Sequence, residues 1–147
     1  MDKALKANNL NSLIKNDNEI VLIEKAAQVV AETISLIEKY IKPGVETLEL
    51  DNIAEDYIRS KNGKPSFKGY EVDKKFFPNT LCISVNEEII HGLPGHRKLV
   101  EGDIVSIDCG CELDGYHGDS AYTFPVGQIF SKASSVVLTK KCRAEVG

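Results

Sequence analysis

Hydrophobic residues in the first part of the chain recur at helical spacing. Apolar side chains follow one another at three- and four-residue steps from Ile20 to Ile41, which predicts an amphipathic helix. Asn16 and Glu19 lie three residues apart and predict a capping box at its start. Pro43-Gly44 is expected to end the helix. The residues predicted on its buried face are Ile20, Ile23, Ala27, Val30, Ile34, Ile37 and Ile41.

A second, shorter helix is predicted immediately afterwards. Thr47 is a suitable N-cap residue, and Asn62-Gly63 is a stop signal. The predicted buried residues are Leu50, Ile53, Ala54, Tyr57 and Ile58. The next segment, Pro65–Lys75, is rich in glycine and charge, so we expect a surface loop there.

Beyond this loop the hydrophobic pattern alternates with a period of two. Leu81–Asn86 (LCISVN) is typical of a strand, and two longer alternating stretches follow between Val105 and Val126. Asp114-Gly115 and its neighbours mark the turn between these two stretches. Two helices followed by a run of strands predict an α+β fold.

Each of the two long strands carries one acid on the face opposite its apolar side chains. Asp108 alternates with Val105, Ile107, Cys109, Cys111 and Leu113, and Asp119 alternates with Tyr122, Phe124 and Val126. If the strands pair as a hairpin, both carboxylates project from the same non-core face. The sequence therefore predicts that Asp108 and Asp119 are neighbours.

Two neighbouring carboxylates have a limited set of uses. They repel each other unless one takes up a proton or a cation neutralises them. Hard carboxylate oxygens suit Mg, Mn, Co or Fe, and also Zn when imidazole is added. The alternative interpretation is that Asp108 and Asp119 are ordinary solvated acids, since Asp is common before Gly at turns. Spacing alone leaves both interpretations open.

Composition narrows the class of protein. The 147 residues amount to one domain, and 42% hydrophobic with 27% charged residues is typical of a soluble globular chain. The net charge of −4 gives no basic footprint for nucleic acid. No apolar run is long enough to span a membrane, and the N-terminus does not resemble a secretory signal, so we expect a cytoplasmic location.

The four cysteines do not form a metal or disulfide pattern. Cys82, Cys109, Cys111 and Cys142 contain no C-x-x-C pair. Cys109 and Cys111 fall on the predicted buried face, where free cysteine packs as a small hydrophobe. We therefore expect structural burial for most of them.

Three sequence blocks together resemble a known enzyme family. They are NEEIIHGLPG (Asn86–Gly95), EGDIVSIDCG (Glu101–Gly110) and DGYHGDSAYTFPVG (Asp114–Gly127). Their order, spacing and identity resemble the type I methionine aminopeptidases, and the likeness extends from about Asn18 onward. The resemblance implies the pita-bread fold, with residues 17–147 as the N-terminal half of its catalytic domain and residues 1–16 as an extension.

The resemblance also implies roles for particular residues. Asp108 and Asp119 match metal ligands for two divalent ions, which could be Co, Mn, Fe, Zn or Ni and would activate water against the first peptide bond. His91 matches a substrate-binding histidine at the rim of the metal site, although a histidine beside glycine is often a plain surface residue. Tyr70, Phe77 and Cys82 match the pocket for the methionine side chain, although aromatic residues in a loop can be ordinary packing. His117 is expected to support Asp119 structurally, and His96 has no assigned role.

The implied activity is removal of the initiator methionine from nascent polypeptides, with an expected association with the ribosome. The family's remaining ligands and its proton-handling Glu have no counterpart in this sequence, so no catalytic residue is assigned and the chain alone is expected to be inactive. A fragment, a natural truncation and a degenerate homologue all fit, with a cut or truncated gene favoured. The alternative function is a non-catalytic peptide-binding module on the same fold. A hydrolase specific for X-Pro bonds or for creatine is disfavoured by the NEEIIHGLPG block.

Overall fold

The computed structural model describes residues 14–72 and 74–129 of the chain. The expectations for the N-terminal extension before residue 14 and for Cys142 lie outside the described residues. Within the described part, no helix combines the length and the apolar character that crossing a membrane requires.

Helix α1 comprises Asp17–Glu38 and begins with the predicted capping box. The Asn16 side chain accepts from the Glu19 amide, and the Glu19 carboxylate accepts from the Asn16 amide. The helix ends at Glu38, before the predicted stop at Pro43-Gly44. Its buried face also differs from the prediction, because Ile20 and Ala27 are exposed whereas Ala26, Val29 and Thr33 are buried. The buried residues of the helix are Ala26, Val29, Val30, Thr33, Ile34 and Ile37.

Helix α2 comprises Thr47–Ser60, and its predicted N-cap was wrong. Glu46 is the N-cap residue and makes no side-chain capping bond. The Thr47 hydroxyl instead makes two hydrogen bonds with Gly95. It donates to the Gly95 carbonyl at 3.0 Å and accepts from the Gly95 amide at 2.9 Å. Thr47 thus fixes the loop before β5 to the start of α2. Asn62, with a φ of 61°, follows the end of the helix where the stop signal was predicted.

Within residues 14–72 and 74–129, six strands follow the helices. They are β1 (Lys64–Pro65), β2 (Glu71–Val72), β3 (Lys75–Phe76), β4 (Leu81–Val85), β5 (Ile104–Leu113) and β6 (Tyr116–Pro125). The prediction of a plain loop over Pro65–Lys75 was therefore wrong: β1 pairs with β5, and β2 pairs with β3 in a separate small hairpin. Short two-residue strands leave too few alternating positions to be detected in a sequence.

The main sheet is antiparallel and is built around β5. β6 pairs along one edge of β5, while β4 and β1 share the other edge. Asp114 and Gly115, with φ values of 52° and 82°, form the two-residue turn between β5 and β6. Positive φ at both positions matches the right-handed twist of the strands.

The two helices pack on one face of this sheet. α1 contacts β5 and β6, and α2 contacts α1, β1 and β4. The core between them contains Val105, Ile107, Cys109 and Cys111, as the alternation predicted. Cys82, Cys109 and Cys111 are free and buried, which confirms their structural interpretation among the described residues. The α+β prediction is confirmed.

A buried acid on α2 positions the start of β4. Asp51 is 2% exposed and accepts from the backbone amides of Thr80 and Leu81 at 3.0 and 2.7 Å and from the Asn79 side chain at 2.9 Å. These bonds satisfy amides that would otherwise be buried without partners. Asp51 therefore fixes the strand that carries Cys82 relative to the helices.

Candidate active site

The β5–β6 register places the two predicted acids on one face of the hairpin. Asp119 lies opposite Gly110, and Asp108 lies opposite Ala121. Residues opposite each other in a sheet share a face, and Asp108 and Gly110 are two residues apart on β5. The predicted geometry is confirmed: both carboxylates project away from the helices.

A cavity of about 730 Å³ lies over this face. All six residues singled out from the sequence line it, namely Tyr70, Phe77, Cys82, His91, Asp108 and Asp119. The walls also include Phe67 and Leu93, so most of the surface around the two acids is aromatic or apolar. This combination could accommodate an apolar side chain next to a bound cation.

The segment Ser66–Tyr70 forms one wall, and glycine on β5 lets it approach. The Ser66 amide donates to the Gly110 carbonyl at 3.0 Å. A Cβ at Gly110 would overlap Phe67, so the absence of a side chain there allows the Phe67 ring to lie close to the sheet. Phe67 was missed as a cavity residue at the sequence level. Its position three residues before Tyr70, in the segment PSFKGY (residues 65–70), was the available signal.

The small β2–β3 hairpin rises from the same wall. The Gly69 amide donates to the Phe77 carbonyl, and the Phe77 amide donates to the Tyr70 carbonyl, at 2.8 and 2.9 Å. These bonds hold Tyr70 and Phe77 together at the base of the hairpin. Phe67 meets Phe77 edge to face with ring centroids 6.5 Å apart, a favourable aromatic geometry.

The loop after β4 presents His91. The Ile83 amide donates to the Gly92 carbonyl at 2.8 Å, and the Gly92 amide donates to the Ser84 hydroxyl at 3.1 Å. A side chain at Gly92 would collide with the Ile83 carbonyl, so only glycine permits this close return. His91 itself has a φ of 58°, in the left-handed region. The backbone thus directs an exposed imidazole to the cavity.

The cavity walls make ionisation of the acids unfavourable. Burial and the neighbouring charge of Asp119 raise the pKa of Asp108 to about 6, while His91 and the Cys109 amide oppose the rise. Loss of hydration also raises the pKa of Asp119, although its residue is largely exposed, and His117 opposes that rise. Burial raises the pKa of the Cys82 thiol to about 12, which leaves it protonated and suits it to packing rather than to nucleophilic chemistry.

The other two histidines have different surroundings. His117 lines the cavity, and its Nδ1 lies 2.9 Å from the Ser66 hydroxyl, so it joins β6 to the cavity wall. Its expected role as support for Asp119 stays a prediction. His96 lies outside the cavity, with its Nδ1 2.9 Å from a Glu46 carboxylate oxygen.

Comparison with known proteins decides the family. The sequence profile of metallopeptidase family M24 matches residues 21–143. The chain belongs to metallopeptidase family M24. A methionine aminopeptidase from Clostridium acetobutylicum is 49% identical over 130 residues, which are 88% of this chain and 50% of that protein.

Solved structures agree with the M24 assignment. Methionine aminopeptidase from Rickettsia prowazekii superposes with a TM-score of 0.81 at 32% identity, covering 85% of this chain and 49% of that one. An Xaa-Pro dipeptidase from Bacillus anthracis gives a TM-score of 0.69 at 25% identity, covering 84% of this chain and 32% of that one. The pita-bread fold prediction is confirmed. The chain spans about half the length of the methionine aminopeptidases that it matches.

The donor chemistry of this M24 chain fits a divalent metal ion in part. Asp108 and Asp119 offer hard oxygen atoms on one face of the sheet, and burial raises the pKa of both carboxyls. Among residues 14–72 and 74–129, no three His, Cys, Asp or Glu side chains converge into a metal-binding group. The described residues would therefore offer a metal ion two acidic side chains, fewer donors than a divalent ion ordinarily takes.

Proposed function

We propose that this protein takes part in metal-dependent removal of methionine from the N-terminus of polypeptides. The observation that supports the proposal is the combination of two acids on one strand pair with an adjoining aromatic and apolar cavity. The similarity to methionine aminopeptidases supports it independently. Because the chain spans about half of those relatives, the activity of the whole protein is part of the proposal.

The described residues have separate proposed roles in binding the metal ions and the substrate. Asp108 and Asp119 would provide part of a site for two divalent metal ions. The candidate metals for both ions are Co, Mn, Fe, Zn and Ni. Bound divalent ions supply Lewis acidity and a nucleophile at neutral pH. Tyr70, Phe77, Cys82 and Phe67 surround the unbranched methionine side chain, and His91 donates a hydrogen bond to the substrate amide.

The proposal also names the substrates and the part of the catalytic domain that this chain represents. The substrates are newly made polypeptides that begin with methionine, encountered in the cytoplasm close to the ribosome. Residues 17–147 correspond to the first half of the catalytic domain, and residues 1–16 precede it.

Hydrolysis by the full-length gene product tests the proposal. With Mn(II) or Co(II), methionine should be released from a Met-Ala-Ser peptide and much less from Leu-Ala-Ser. Asp108→Asn should reduce the rate by at least about 100-fold, because one oxygen ligand is lost. Asp114→Asn makes the same charge change in the exposed turn of the same hairpin and should leave the rate unchanged. Equal rates for Asp108→Asn and the parent would contradict the metal role.

Peptide binding without hydrolysis is the second candidate. It is favoured by the absence of a three-ligand group among the residues that the structure describes. Titrating Mn(II) into the parent and into Asp108→Asn separates the two. A binding module has no need of the acids and should show equal metal affinity in both, whereas the hydrolase should lose affinity in the variant.

A further inference from the structure

A second, smaller cavity adjoins the one that contains the acids. Its volume is about 400 Å³, and Ser66, Tyr70 and His117 line both cavities. A single extended ligand can therefore contact both. Apart from these shared residues, the charged side chains that line the smaller cavity are Arg59, Lys64, Lys68 and one acid, Glu112, so the cations outnumber the acid three to one. We refer to Arg59, Lys64 and Lys68 as the basic wall.

The basic wall carries an excess of positive charge. Arg59 and Lys68 share one carboxylate, since the Arg59 Nη2 lies 2.8 Å from Glu55 Oε1 and the Lys68 Nζ lies 2.6 Å from Glu55 Oε2. Lys64 Nζ lies 3.2 Å from Glu112 Oε1. Three cations thus share two acids, in a chain whose net charge is −4.

These ion pairs are able to rearrange around an incoming anion. The Lys64 side chain is 71% exposed and the Arg59 side chain is 55% exposed. Exposed pairs of this kind contribute little to stability, because water already solvates both charges. A carboxylate in the cavity can therefore recruit a cation of the basic wall without a large loss elsewhere.

We propose that the basic wall binds an acidic side chain of the polypeptide whose first residue occupies the larger cavity. This inference rests on the proposed function, since it takes the N-terminal methionine to lie beside Asp108 and Asp119. An extended peptide advances by about 3.3 Å per residue, so the shared walls place an acidic residue shortly after the first one within reach. The basic wall thereby favours substrates with Glu or Asp near the N-terminus.

Peptide binding to the metal-free, full-length gene product tests this. Calorimetry measures the affinity for a series of peptides that begin with Met-Ala and carry Glu at the third, fourth or fifth position. Each affinity is compared with that of the peptide with Gln at the same position. At one position, Glu should bind about three- to five-fold more tightly than Gln at low salt, and the preference should fade at high salt. Lys64→Gln and Arg59→Gln should each reduce the preference.

A matched control uses another exposed lysine. Lys25 lies on α1, which packs on the opposite face of the sheet, so Lys25→Gln should keep the Glu preference intact. Equal binding of Glu and Gln peptides at every position, or a preference that survives in both basic-wall variants, would overturn the inference. Binding of single-stranded RNA that depends on Lys64, without a preference among peptides, would overturn it as well.

The two proposals fail in different ways. If the Gln peptides bind and lose methionine when metal is added, but Glu brings no advantage, only the role of the basic wall is wrong. If no methionine peptide binds or is cleaved, the proposed function itself is wrong.

Discussion

At the scale of single residues, the two acids of the candidate site reduce the stability of the metal-free fold. Asp108 and Asp119 share one face and one cavity, and Asp119 contributes to the raised pKa of Asp108. A carboxyl whose pKa is higher in the folded chain than in the unfolded chain destabilises the fold once both forms are ionised. A cation bound between the two carboxylates would remove this cost, so the proposed metal binding should stabilise the fold.

Asp108→Asn should therefore stabilise the metal-free protein at pH 7.5, by about 1 to 2 kcal/mol, because it removes a charge that the cavity disfavours. The pKa of Asp108 is about 6 in the fold, against an ordinary value of 3.8, so the advantage should shrink as the pH falls from 6 toward 4. Urea unfolding in the presence of EDTA at several pH values measures this. A variant that is less stable than the parent at pH 7.5 would contradict the electrostatic account.

At the scale of elements, the sequence predicted what depends on periodicity and missed what depends on tertiary partners. The capping box of α1 and the β5–β6 hairpin were found because each is a local pattern with a fixed spacing. The prediction of Thr47 as the N-cap was wrong because its hydroxyl is hydrogen-bonded to Gly95, which is far away in the sequence. The inward position of Phe67 depends likewise on Gly110 of another strand.

Asp51 was missed for the same reason, and it carries the next prediction. Asp51→Ala leaves the Thr80 and Leu81 amides buried without an acceptor, which should reduce the free energy of unfolding by about 3 kcal/mol. Asp51→Asn keeps one acceptor oxygen and should cost less. Asp56→Ala, on the exposed side of the same helix, is the control and should change little. Equal effects of Asp51→Ala and Asp56→Ala in urea unfolding would show that the hydrogen bonds of Asp51 do not stabilise the contact between α2 and β4.

At the scale of the whole molecule, the two faces of the sheet are covered by different elements. The helices bury the apolar face, whereas the cavity face is covered, among the described residues, by the Ser66–Tyr70 segment and the loop after β4. The sequence predicted the α+β class from alternation, and alternation and family resemblance together singled out six of the residues that line the cavity. It could not predict the volume of the cavity or the basic wall, because those depend on how distant segments pack.

The loop after β4 has a consequence for the 147-residue chain in solution. Ile89 and Ile90 are 83% and 69% exposed, next to Leu93 at 61%, and clustered exposed apolar side chains promote association. We expect the chain to self-associate as its concentration rises, and sedimentation velocity should show the average mass increasing. The double variant with Ile89→Ser and Ile90→Ser should sediment nearer to the monomer. As a control, Ile20→Ser with Val21→Ser alters two partly exposed side chains at the start of α1 and should have a smaller effect. If both double variants reduce association equally, the interaction is nonspecific and the loop after β4 has no special part in it.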